Sequence, residues 1–152
     1  MKRLVKFVAM LGLLLAMVGC YKNEEPKANR VYSFLGESEE LRLTNGVIVI
    51  GEKDEFYGGI LETKGDGFDS IKKYIAQFYI EGNDETILNN AVIDETGSFE
   101  LKNQEIGQIS GEIFNDAKEN SLENGLYFEL TITDDSNRTR SYTLPMEIKR
   151  IA

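Results

Sequence analysis

Two alternating segments near the end of the chain constrain its fold most strongly. Apolar residues occupy every second position from Leu126 to Ile132 and again from Tyr142 to Ile148, with residues 134–137 forming a polar turn between them. A period of two places apolar side chains on one face of a strand and polar side chains on the other, so the pair predicts an antiparallel β-hairpin. Pro145 has no backbone N–H, which predicts that the last strand lies at a sheet edge or a bulge.

Shorter strand patterns precede this hairpin. Asn45-Gly46 separates two apolar runs and predicts a hairpin turn, because both residues tolerate a positive φ; one long strand bulged at Gly46 is the alternative. The paired glycines Gly58 and Gly59 predict a bulge or a close approach by another segment. The segment Ile71–Ile80 fits a strand or a helix, and its aromatic and β-branched residues favour the strand.

The region after these strands gives weaker signals. Ile106, Ile109 and Ile113-Phe114 predict one further strand, which Gly107 and Gly111 weaken. Residues 115–124 are polar and predict a loop, with one short helical turn as the alternative.

The complete pattern predicts an all-β domain over residues 31–152. It contains seven to nine short strands, turn signals about every 8–12 residues and no long amphipathic helix, which is typical of an antiparallel Ig-like β-sandwich. The Cys…Trp…Cys core of antibody domains is absent, because the chain has one cysteine and no tryptophan.

The N-terminus has the form of an export signal. Lys2, Arg3 and Lys6 precede an apolar run over residues 7–18 that is too short to span a bilayer, and small Gly19 stands before Cys20. We expect residues 1–19 to be a cleaved signal peptide. The polar residues 20–30 then predict a flexible tether between a lipidated Cys20 and the folded domain.

This N-terminus resembles that of small lipoproteins of low-GC Gram-positive bacteria. The resemblance rests on the lipobox ending in Gly19-Cys20 and on an aromatic strand that runs into Gly36-Glu37-Ser38-Glu39 before an all-β domain. Met17 stands where a lipobox usually has Leu, and Glu40-Leu41 follow where an aromatic residue is usual. The resemblance implies that the Cys20 thiol is diacylated and anchors the chain to the outer side of the cell membrane. It carries over no catalytic or binding residue.

Composition narrows the chemistry that the domain can perform. The chain has no histidine, and Cys20 is its single cysteine, so the usual general base and a spare thiol nucleophile are both missing. Removing the signal leaves 14 basic against 26 acidic side chains, a net charge of −12, which opposes binding to nucleic acid. We therefore expect a non-enzymatic binding module for a protein, a peptide or a cell-wall component.

Two alternatives remain at this point. A small extracytoplasmic hydrolase could use a pair of carboxylates, although no motif selects a pair. A calcium-binding surface domain is the other, because Asp134, Asp135 and Asn137 place several hard oxygen atoms in one turn. Aspartate and asparagine also favour turns for backbone reasons alone, since their side chains hydrogen-bond the local main chain. Apart from that calcium alternative, we expect no cofactor.

Overall fold

A computed structural model describes residues 29–82 and 86–152. The predicted signal peptide, Cys20 and all but the end of the predicted tether lie outside this range. The described residues form two antiparallel sheets packed face to face, so the predicted all-β sandwich is confirmed.

The larger sheet has seven strands and the smaller has four among the described residues. The larger sheet contains β1 Arg30–Glu37, β2 Leu41–Ile50, β3 Asp54–Tyr57, β4 Ile60–Thr63, β7 Gln104–Glu105, β8 Gln108–Gly111 and β11 Glu147–Arg150. The smaller contains β5 Ile71–Ile80, β6 Thr86–Ile93, β9 Leu126–Asp134 and β10 Thr139–Pro145. Their orders are β11-β1-β2-β3-β8, with β4 between β2 and β7, and β10-β9-β5-β6.

Four phenylalanine rings join the two sheets. Phe34 and Phe56 point inward from β1 and β3, and their ring centroids lie 5.3 Å apart. Phe78 of β5 meets Phe56 at 4.9 Å and Phe128 of β9 at 5.0 Å. All four side chains are buried, so the hydrophobic effect and edge-to-face ring contacts hold the sheets together here.

The hairpin predicted at Asn45-Gly46 is wrong, and the alternative of one bulged strand is confirmed. β2 runs unbroken through both residues, and its pairing with β1 passes from Phe34 opposite Gly46 to Gly36 opposite Leu43. One extra residue on β2 is accommodated there by Asn45, whose φ is 60°. A side chain at Gly46 would overlap the Phe34 ring, which explains the glycine.

Two further breaks line up with this bulge across the sheet. Gly58 and Gly59 separate β3 from β4, and Gly107 lies between β7 and β8. The Gly58 N–H donates to the Gly107 carbonyl at 2.8 Å, and the Ile106 N–H donates to the Gly59 carbonyl at 3.1 Å. The close approach predicted at the paired glycines is thereby confirmed. The breaks also divide longer strands, so residues 29–82 and 86–152 contain eleven strand segments, against seven to nine predicted.

The loop predicted over residues 115–124 is wrong. A helix, α1, spans Asp116–Gly125, and the Asn115 side chain caps it by accepting from the Lys118 N–H at 2.9 Å. Buried Leu122 fixes the helix to the core, although the sequence has no apolar stripe at helical spacing. Among the described residues no helix combines the length and apolar character needed to cross a membrane.

The β-hairpin predicted near the end of the chain is confirmed, and so is the edge position predicted from Pro145. β9 and β10 form the predicted hairpin, and Pro145 ends β10 at an edge of the four-stranded sheet. After Met146 the chain continues as β11 in the other sheet, so one predicted strand is shared between the two layers.

The close contact between Gly46 and the Phe34 ring gives a test of the bulge in β2. We expect Gly46→Ala to lower the free energy of unfolding by about 1–3 kcal/mol, as overpacking does, because the added methyl meets the Phe34 ring. The same change in a Phe34→Leu background should cost clearly less, since the smaller side chain can move aside. Urea unfolding of the four proteins measures this coupling, and equal costs in both backgrounds would contradict it.

Candidate functional site

The outer face of the seven-stranded sheet exposes large apolar side chains. Leu35 is 50% exposed, and Tyr57 and Ile60 are each 37% exposed. They occupy outward positions of β1, β3 and β4, while the inward neighbours Phe34, Phe56 and Leu61 are buried. Within the described residues no element packs over this face.

Two hollows on this face meet at Asn45 and Val47, where both are lined by the same residues. One hollow, of about 710 Å³, continues past Tyr57 and Ile60 to Glu105 and Gly107. The other, of about 600 Å³, continues past Leu35 to Glu147 and Lys149. We name the joined depression the transverse trough, because it runs across the strands.

The strand breaks shape the transverse trough. Gly59 and Gly107 contribute no side chains to its wall, and the bulge at Asn45 interrupts regular pairing at its centre. Tyr57 is held in place by donating its hydroxyl to the Glu55 carboxylate at 2.7 Å, and that hydrogen bond raises the pKa of the phenol. The trough therefore combines apolar side chains with partly exposed main chain at Gly59 and Gly107.

Two basic residues beside β1, β2 and β4 of this sheet are already paired. The Lys64 ammonium lies 2.6 Å from Glu37, and Arg42 lies 3.8 Å from Glu62. The hydrogen bond from Lys64 lowers the pKa of the Glu37 carboxyl. By contrast, the trough residues Glu105, Glu147 and Lys149 have no ion pair within the described part of the chain.

The calcium candidates lie in the β9–β10 turn. There, N–H donors already hydrogen-bond to both carboxylate oxygens of Asp134. Its buried carboxylate accepts from the backbone N–H groups of Ser136 and Arg138 at 3.0 and 2.9 Å, and from Arg138 Nε at 3.0 Å. These hydrogen bonds, with that of the Arg138 backbone largest, lower the pKa of Asp134. The carboxylate thus acts as a cap that closes the hairpin.

The other two candidates surround a lysine. Lys72 Nζ donates to the Asp135 carbonyl at 2.8 Å and to Asn137 Oδ1 at 3.3 Å. Across the described residues, no three His, Cys, Asp or Glu side chains are grouped so that they could hold a metal ion. The calcium alternative gains no support from this arrangement.

A polar cleft that sequence reasoning missed lies beside α1. It has a volume of about 430 Å³ and includes Arg30, Asp54 and Glu119. The Asp54 carboxylate accepts from the N–H groups of Ile113 and Phe114 at 3.0 and 2.8 Å, and Arg30 lies 2.7 Å from Glu119. Both carboxylates fix neighbouring segments in place, Asp54 through backbone N–H groups and Glu119 through Arg30. The sequence could have identified Asp54 as a buried carboxylate, because it stands two residues before Phe56 and therefore on the same inward face of its strand.

Comparison of the chain with known proteins assigns it to no family. No protein-family model matches the chain, and no curated protein or solved structure matches it at a significant level.

The role of Asp134 predicts a specific pH dependence. Because its pKa is lowered in the folded state, its contribution to stability is complete above the unfolded value of about 3.9 and disappears as the pH falls through the folded value. We expect Asp134→Asn to lower the melting temperature at pH 7, with the difference from wild type narrowing below about pH 3.9. Thermal melts from pH 7 to pH 2 measure this difference.

Asp135→Asn is the matched control for that series. The Asp135 carboxylate is exposed and accepts one hydrogen bond, from the neighbouring Ser136 hydroxyl. The melting temperature of Asp135→Asn should equal that of wild type at every pH from 7 to 2. A difference at Asp134 that stays constant down to pH 2 would contradict the capping role.

Proposed function

We propose that this protein is a lipid-anchored extracytoplasmic binding module, without enzymatic activity, which holds a protein or peptide partner in the transverse trough. The observation that carries the proposal is the exposed apolar surface formed by Leu35, Val47, Tyr57 and Ile60 around that trough. Apolar patches that are exposed on one face and rimmed by polar residues are characteristic of interaction sites.

The shape of the surface supports a polypeptide partner. The trough is partly open to solvent and crosses several strands, whereas small-molecule sites bury most of their ligand. Its apolar side chains are large and lie next to partly exposed main chain at Gly59 and Gly107. These features suit a segment that contributes both side-chain and main-chain contacts.

The anchor is supported by the sequence and by the start of the fold. Arg30 begins β1, ten residues after Cys20. Ten residues span at most about 36 Å, so an acylated Cys20 would keep the domain within that distance of the bilayer. The net charge of −12 would hold the domain away from anionic headgroups.

The anchor is tested by substituting the modified residue. We expect the full chain to enter the detergent phase when expressed in a host with lipoprotein processing, and Cys20→Ser to remain in the aqueous phase. Mass spectrometry of the N-terminal peptide should show a diacylglycerol group on wild type alone. Equal partitioning of the two proteins would exclude the anchor.

The partner site is tested by photo-crosslinking in the native host. A benzophenone amino acid placed at Leu35 or Ile60 should give a discrete crosslinked product on irradiation, because both side chains are exposed beside the trough. The same amino acid at Thr143, exposed on the other sheet, is the matched control. Products of equal yield and size from all three positions would argue against a partner in the trough.

A further inference from the structure

The transverse trough has a defined length and asymmetric ends. It begins at Glu147 and Lys149 of β11, crosses β1 and β2, and ends at Glu105 of β7 beyond β4. Four strand spacings of about 4.8 Å separate β11 from β7, so the trough is about 19 Å long. An extended segment of about six residues, or a helix of about thirteen, covers that distance.

The two ends carry different charge. Glu105 is exposed and has no ion pair among the described residues, and it is the one charged side chain that lines this end of the trough. At the opposite end Glu147 and Lys149 stand together on the same face of β11, so their charges offset each other. The Glu105 end is therefore the acidic end.

From these observations we infer that the partner segment is cationic and amphipathic. Its apolar side chains lie against Val47 and Ile60, and a lysine or arginine lies at the Glu105 end. This inference rests on the proposed function, since it names the chemistry of the partner for the same trough. A second copy of this chain is a poor occupant, because two molecules that each carry a charge of −12 repel each other.

The expected effect of charge on partner binding follows from the position of Glu105 at the rim of the trough. An exposed charge at the rim of an interface changes association more than it changes packing. Removing the carboxylate should weaken capture of a cationic segment several-fold, and reversing its sign should weaken it further. Changing Lys149 should act in the opposite direction, because that ammonium repels the same partner.

The test combines charge variants with the crosslinker at Ile60 in the full-length, anchored chain. We expect mass spectrometry to identify a crosslinked segment with apolar residues and a net positive charge. Crosslink yield should fall by up to about fivefold in Glu105→Gln, fall further in Glu105→Lys, and rise in Lys149→Gln. Glu129→Gln, on the outer face of the four-stranded sheet, is the matched control and should leave the yield unchanged.

The outcomes separate this inference from the proposed function. Three results would overturn the cationic partner while leaving a partner in the trough. They are a neutral or acidic crosslinked segment, a crosslink to a second copy of this chain, and crosslink yields that do not change in the Glu105 variants. Yields at Leu35 and Ile60 no higher than at Thr143 would instead remove the proposed function itself. Loss of yield in the Glu129 control would show a general charge effect and would also overturn the inference.

Discussion

The contact between the Phe34 ring and the bare main chain of Gly46 determines the shape of the larger sheet. The ring reaches Phe56 and Phe78 because no side chain stands at the position opposite it on β2. The extra residue at Asn45 stands directly beside this contact, where the register of β2 against β1 shifts. The neighbouring strands interrupt their pairing at the same level, and their hydrogen bonds pass through Gly59 and Gly107. One aromatic contact in the core is thus linked to a depression on the opposite surface.

Much of the architecture could be predicted from the residues alone. Alternation identified β9 and β10, and aromatic and β-branched residues favoured the strand at β5. The errors arose where local pattern and tertiary pairing disagree. Asn45-Gly46 has the composition of a turn, but pairing on both edges of β2 keeps the chain extended. Helix α1 was missed because a cap and one buried leucine replace the usual apolar stripe.

The candidate site was less accessible to sequence reasoning. The transverse trough depends on three breaks, near residues 45, 59 and 107, that become neighbours only through strand register. Leu35 and Ile60 are apolar residues like those of the core, and only the fold shows which of them face outward. The acidic turn was correctly located, but its chemistry was set by Arg138 and the local N–H groups that surround Asp134.

The position of β1 has a mechanical consequence. β1 pairs with β2 on one side and with β11 on the other, and the last residues of the chain also hydrogen-bond to Val31. A pull transmitted along the chain into Arg30 is directed along the axis of this strand. It therefore loads both rows of hydrogen bonds in shear, so that many must break together, instead of opening them one by one. A domain held at this end and pulled by a bound partner would resist the force through a strand that is paired along both of its edges.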